Sequence, residues 1–200
     1  MTIRRLCVFC GSSRGRNPAY SDAASGLGEL LAEQEIGLVY GGTSIGLMSV
    51  VADAALRSGG EVIGVIPQSL IDREIAHTGL SDLQIVSSMH ERKKRMGELS
   101  DGFVALPGGL GTLEEAAEVL TWAQLRIHTK PCGFLNVAGF FDPLLRMFDH
   151  AVEQGFLSAQ HREMVLVEDQ AQVLLERFHS YVAPADKWGR TDVTAREIPT

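Results

Sequence analysis

Short, unbroken apolar runs that stop at glycine or proline constrain this chain most. They read "RLCVFCG", "IGLVYGG", "EVIGVIP", "GFVALPGG" and "CGFLNV". None alternates polar with apolar residues, so each reads as a strand buried on both faces of a parallel sheet. Segments with helical spacing lie between them, among them "AYSDAASGLGELLAEQ", "SIGLMSVVADAALRSGG" and "TLEEAAEVLTWAQLRIH". Asn17-Pro18 supplies an N-cap and a first-turn proline for the first of these helices. "DLQIVSS" reads as a strand or its remnant, "MHERKKRMGELS" as a helix, and "MVLVED" and "AQVLLERFHSYV" as a last strand and helix. Strands alternating with helices predict an α/β fold: a doubly wound, mainly parallel sheet with helices on both faces, Rossmann-like in plan. One domain is expected over residues 1–182, followed by an extended or disordered tail over 183–200 that lacks an apolar face.

Composition narrows the partners. The formal net charge is −7 with 22% charged residues, which argues against a nucleic-acid polymer as the main partner. The N-terminal apolar run, Leu6 to Cys10, is too short for a signal peptide or a membrane span, so a cytoplasmic protein with no membrane partner is expected. Cys7 and Cys10 spell C-x-x-C, but residues three apart on a strand face opposite ways. Buried small hydrophobes are the expected reading, and neither a metal nor a cofactor is called for by any His, Cys or carboxylate spacing.

Sheets of this class bind ligands beyond the carboxyl ends of their strands. Two glycine turns, "VYGGTSIGLM" and "LPGGLGTLEE", lie there, each between a strand and a helix. Neither is the G-x-G-x-x-G dinucleotide fingerprint, and neither has the P-loop lysine. Glycines let a phosphate approach the backbone, and the unpaired N–H groups of a helix start donate to it. Gly11, Ser12, Gly42 and Thr43 are candidates for further loop contacts. The alternative is that the glycines only make tight turns. Thr112-Leu113-Glu114-Glu115 has two readings as well: a T-x-x-E capping box, in which Glu115 bonds back to Thr112, or a carboxylate presented to a ligand. In "MHERKKRM", Arg92, Lys93, Lys94 and Arg95 are consecutive, so on a helix they fan around roughly 300° and at most two face the ligand edge.

Together these motifs resemble the LOG (Lonely Guy) family of cytokinin riboside 5′-monophosphate phosphoribohydrolases, many of which carry a lysine-decarboxylase-like label. The P-G-G-x-G-T-x-x-E motif runs from Pro107 to Glu115, and M-H-x-R-K-x-x-M from Met89 to Met96. "FCGSS" and "LTWAQLRIHTKPCGFLNV" add to a likeness spanning roughly residues 5–180. The resemblance implies Arg92 and Glu115 as catalytic residues. It implies substrate contacts from Glu74, Lys93, Gly108, Gly109, Leu110, Gly111, Thr112, Leu113, Glu114 and Thr121. It also implies a nucleoside monophosphate as small-molecule partner, no cofactor, and a homodimer. One departure stands out: "GGTSIGLMS" places Thr43 and Ser49 at usual family glycines, added side chains that would either narrow the pocket or alter nucleotide choice. The expected reaction is hydrolysis of a purine riboside 5′-monophosphate, with an N6-prenylated adenine favoured by the resemblance, to base and ribose 5-phosphate. The alternative is a non-catalytic carrier or sensor of a phosphorylated ligand. A pyridoxal-phosphate decarboxylase is disfavoured, because no cofactor arrangement surrounds the few lysines.

Overall fold

The structure, a computed structural model, describes residues 2–71, 76–186 and 188. Its strands are β1 (Arg5–Phe9), β2 (Gly37–Tyr40), β3 (Val62–Pro67), β4 (Asp82–Val86), β5 (Gly102–Ala105), β6 (Cys132–Leu135) and β7 (Val165–Glu168). They form a seven-stranded sheet in the order β4-β3-β2-β1-β5-β6-β7, and every neighbouring pair is parallel. The α/β expectation is met. The apolar runs sit where burial on both faces demands them; β4, an edge strand, is half exposed and correspondingly weak in sequence.

The helices are α1 (Pro18–Glu33), α2 (Gly46–Arg57), α3 (Gln68–Ile71), α4 (Met89–Leu99), α5 (Leu110–Gln124), α6 (Asp142–Glu153), α7 (Ala159–Glu163) and α8 (Ala171–His179). α1, α2 and α8 bury one sheet face, packing on Leu6, Val8, Leu38 and Tyr40. α4 and α5 bury the other, against Cys7, Phe9, Val39 and Val65. Successive residues of β1 thus serve opposite layers, as strand geometry requires. Cys7 and Cys10 fall in different layers, and Cys7, Cys10 and Cys132 are all buried free thiols.

Local chemistry sets the helix starts. Asn17 caps α1 by accepting from the Ala19 N–H at 3.1 Å, with Pro18 in the first turn. At α4 the Ser88 hydroxyl accepts from the Glu91 N–H at 3.1 Å, while the Glu91 carboxylate accepts from the Ser87 N–H and hydroxyl, both at 2.6 Å. These bonds hold the Glu91 carboxyl below its usual range, and they fix the helix that carries Arg92.

The sheet order reverses between β1 and β5, so the loops leaving those strands diverge and open a crevice at their carboxyl ends. From Ala183 to Asp186 the chain is irregular. Arg126 Nη1 donates to the Ala183 carbonyl at 3.4 Å and to that of Pro184, His161 Nε2 lies 3.2 Å from the Ala185 carbonyl, and Asp186 is buried. No helix among the described residues is long and apolar enough to cross a membrane.

Candidate active site

Three loops meet at the crevice. The Gly11 N–H donates to the Pro107 carbonyl at 3.0 Å, and the Gly11 carbonyl accepts from the Leu47 N–H at 2.9 Å. The β1, β2 and β5 turns are therefore stitched together by backbone bonds. α5 begins at Leu110 after Gly109, whose backbone is extended. Its first helical bond runs from the Leu113 N–H to the Gly109 carbonyl at 3.1 Å. The N–H groups of Leu110, Gly111 and Thr112 precede that bond and are the donors a helix start offers an anion. Thr112 is buried and turns back over the loop: a Cβ on Gly108 would lie 2.1 Å from its hydroxyl, so only glycine fits there.

This start decides between the two readings of Thr112–Glu115. Thr112 stands at the third helical position rather than at the cap, and no side chain caps α5. Glu115 is consequently in the second turn and makes no capping box. It points instead into a cavity of about 240 Å³ whose walls include Arg92, Met48, Ser12, Gly109 and Thr112. The T-x-x-E spacing fits both arrangements; where the helix begins depends on Gly109, and that is a tertiary matter.

Arg92 reaches the same cavity from α4. It is buried, with Nε donating to the Val65 carbonyl at 3.1 Å and Nη2 to the Gly41 carbonyl at 3.2 Å. Its Nη1 lies 3.7 Å from Glu115 Oε1. Gly41 is a residue that the sequence reading did not single out for this task. A Cβ there would lie 2.1 Å from Arg92 Nη2, so the glycine makes room for the guanidinium as well as for the turn. The signal available was only its place beside Gly42.

A guanidinium this close to a carboxyl would by itself favour the ionised form. Burial instead pushes the Glu115 carboxyl up to about 7; Arg92 pulls against this and Glu114 adds to it. Desolvation outweighs the arginine because the pair is not in hydrogen-bond contact and both groups are buried. The Cys10 thiol also borders the cavity, and burial raises it well above its usual range, so it remains a thiol.

The basic cluster fans out as helical geometry predicts. Lys93 turns to α5, with Nζ 2.7 Å from Glu114 and 2.9 Å from Glu118, while Arg95 bonds Gln84 on the β4 edge at 2.7 Å. Only Arg92 enters the cavity wall. Leu110 is 86% exposed at the mouth, and Leu113 packs half-buried on the core beneath. Thr121 donates to the Ala117 carbonyl at 2.7 Å and lines a separate apolar cavity between α5 and α6, with Phe148 and His161. Glu74 lies outside the described residues.

Thr43 and Ser49 turn into the protein rather than toward the site. Thr43 is fully buried, its hydroxyl 3.4 Å from the Met48 sulfur, and Ser49 donates to the Gly46 carbonyl at 3.0 Å. Neither lines the cavity that holds Arg92 and Glu115. Gly11 and Ser12 border a neighbouring hollow of about 300 Å³ with Tyr20 and Phe140, and Ser12 and Gly109 are common to both. Gly42 takes a left-handed conformation behind the arginine, with φ +77°.

Residues 48–178 match the family model described as "Possible lysine decarboxylase". The chain is 51% identical over 180 residues to the cytokinin riboside 5′-monophosphate phosphoribohydrolase LOG of Oryza sativa subsp. japonica, covering 90% of this chain and 74% of that protein. It is 49% identical over 184 residues to the Arabidopsis thaliana phosphoribohydrolase LOG2, covering 92% and 86%. Among solved structures, the molybdenum cofactor binding protein of Rippkaea orientalis superposes with a TM-score of 0.68 at 23% identity, over 90% of this chain and 98% of that one. The molybdenum cofactor carrier protein of Chlamydomonas reinhardtii gives 0.68 at 20%, over 90% and 100%. At those identities the structural likeness is one of fold, whereas the plant relatives are close in sequence over most of the chain. The chain belongs to the LOG family.

Proposed function

We propose that this chain hydrolyses the N-glycosidic bond of a purine riboside 5′-monophosphate, giving free base and ribose 5-phosphate. The observation that carries the reading is the convergence of Arg92 and Glu115, 3.7 Å apart, beside the start of α5, which no side chain caps. Phosphate oxygens accept from the Leu110–Thr112 amides, and the ribose lies against Glu115 and Arg92. As the bond from the anomeric carbon to the base nitrogen breaks, positive charge develops on the sugar. The Glu115 carboxylate stabilises that charge and takes a proton from the water whose oxygen bonds the anomeric carbon; the base leaves with the electron pair of the broken bond and takes a proton from solvent, to which Glu115 then gives up its own. Arg92, fixed by two carbonyls, keeps its remaining N–H groups for substrate oxygens. The names of the 51% and 49% identical relatives support the prenylated-adenine nucleotide as substrate.

Decarboxylation of lysine finds less support. Lys93 is engaged by two glutamates, and Lys130 donates to the Gly97 carbonyl at 2.7 Å, so neither is presented for a Schiff base in the Arg92–Glu115 cavity.

The test is incubation of pure protein with AMP and with isopentenyladenosine monophosphate, followed by assay of free base and ribose 5-phosphate. Release from the prenylated nucleotide is expected; tight binding without release supports a carrier instead. Because the carboxylate form acts, kcat/KM should rise with pH through about 7 and level off above it. A rate that falls over that interval assigns Glu115 the acid role and overturns this mechanism.

The working unit is proposed to be a homodimer. Met147 and Phe156 are 58% and 89% exposed along and beyond α6, beside the apolar cavity that α5 and α6 share. A second copy of the same face covers such a surface. Sedimentation at micromolar concentration should give a dimer, and a Phe156→Ser variant should weaken it; a monomeric wild type overturns the assignment.

A further inference from the structure

We infer that Asp53 and His77, neither of which borders the cavity, form a positioning pair that holds the Gly41 carbonyl against Arg92. The inference rests on the proposed role of Arg92. Of the two carbonyls that anchor the guanidinium, Val65 belongs to β3 and is fixed by the sheet. Gly41 belongs to the turn between β2 and α2, where Gly41 and Gly42 have no side chains to pack and Gly42 is left-handed. What fixes those peptide planes must come from outside the turn.

It comes from the segment at Ala76 and His77. The His77 N–H donates to the Gly42 carbonyl at 3.0 Å, and Ala76 forms an antiparallel bridge with Thr43. The His77 ring is buried, and its Nε2 lies 3.0 Å from Asp53 Oδ1 on α2. α2 begins a few residues beyond the turn, so the contacts close a circuit. It runs from the turn into α2, from Asp53 to the His77 ring, and from the His77 N–H back to Gly42. A carboxylate only accepts, so Nε2 carries the ring proton in this contact.

The choice of histidine supports a tie rather than packing. Nδ1 is buried and has no hydrogen-bond partner among the described residues, a penalty that an apolar side chain of similar size would avoid. What histidine supplies there, and leucine does not, is the bond to Asp53. Cutting that bond frees the segment bearing the His77 N–H, loosens the Gly42 and Gly41 peptides, and lets Nη2 drift while Nε stays on Val65. The substrate-facing edge of the guanidinium then loses its alignment with Glu115.

The pair is tested by steady-state kinetics on Asp53→Ala, His77→Leu, their double variant and His77→Gln, with amide exchange at His77. Asp53 is half exposed on its helix, so its replacement leaves the core intact. Asp53→Ala and His77→Leu should each lower kcat by about tenfold with KM within about twofold, and the double variant should be no worse than either. His77→Gln retains a donor for Asp53 and should recover to within about threefold of wild type. The His77 amide should exchange about tenfold faster in Asp53→Ala. Wild-type kcat in Asp53→Ala, or single effects that multiply in the double variant, overturn the pair while leaving the proposed reaction standing. A wild-type protein that releases no base sinks the proposed reaction instead; unchanged amide exchange then overturns the pair separately.

Discussion

Glu115→Gln is expected to lose ~10²-fold or more in turnover while gaining stability above neutral pH. The two effects share a cause. Folding raises this carboxyl from an ordinary 4.5 to about 7 because it is buried. A group whose folded value is raised is protonated more readily in the native state, so native stability falls as pH rises from about 4.5 to about 7 and stays reduced above. At pH 8 the shift corresponds to about 3 kcal/mol against the folded protein. Glutamine keeps the shape without the charge, so a gain of about 1–3 kcal/mol is expected at pH 8, vanishing below about pH 4.5. Melting curves at the two pH values, with turnover at saturating nucleotide, check both halves. Near-normal turnover, with nucleotide binding intact, removes the carboxylate from the chemistry.

Arg92→Ala should do damage on both counts. It strips the donor from the buried Val65 and Gly41 carbonyls, which are bonded at 3.1 and 3.2 Å. Each orphaned acceptor costs about 1–3 kcal/mol, so the two together give an expected loss of about 2–6 kcal/mol. The variant also removes the largest influence holding the Glu115 carboxyl down, which pushes that group further above 7 and depletes the carboxylate near neutral pH. Turnover should fall by ~10³-fold, with weaker nucleotide binding. Lysine should not rescue it. A single ammonium lacks the planar fork that spans two carbonyls and still faces Glu115. Wild-type kinetics in Arg92→Ala would exclude Arg92 from the mechanism; wild-type kinetics in Arg92→Lys would show that charge alone suffices.

Much of this was legible in the chain because strand burial and turn chemistry are local. "GFVALPGG" announces a doubly buried strand that ends where backbone must come close to backbone, and β5 and the Pro107–Gly109 turn follow it. Asn17-Pro18 announces the start of α1 for an equally local reason. The start of α5 was not legible in the same way. Thr112 and Glu115 have capping-box spacing, yet the extended backbone of Gly109 starts the helix at Leu110 and turns the glutamate into the cleft. A capping arrangement did form at Ser87–Glu91 on α4, where Ser88 and Glu91 have the same spacing as Thr112 and Glu115, so spacing alone does not separate the two outcomes.

The sequence by itself determined the layers, the parallel sheet and the place of the ligand edge, since periodicity and glycine turns are written along one dimension, while its resemblance to the LOG family supplied the candidate pair Arg92 and Glu115. Only the tertiary structure decided that Gly41 and Val65 hold the arginine, that burial outweighs the arginine's pull on Glu115, and that Thr43 and Ser49 turn away from the cavity. Desolvation and the direction of a carbonyl depend on what packs from elsewhere in the chain, and no local pattern encodes that.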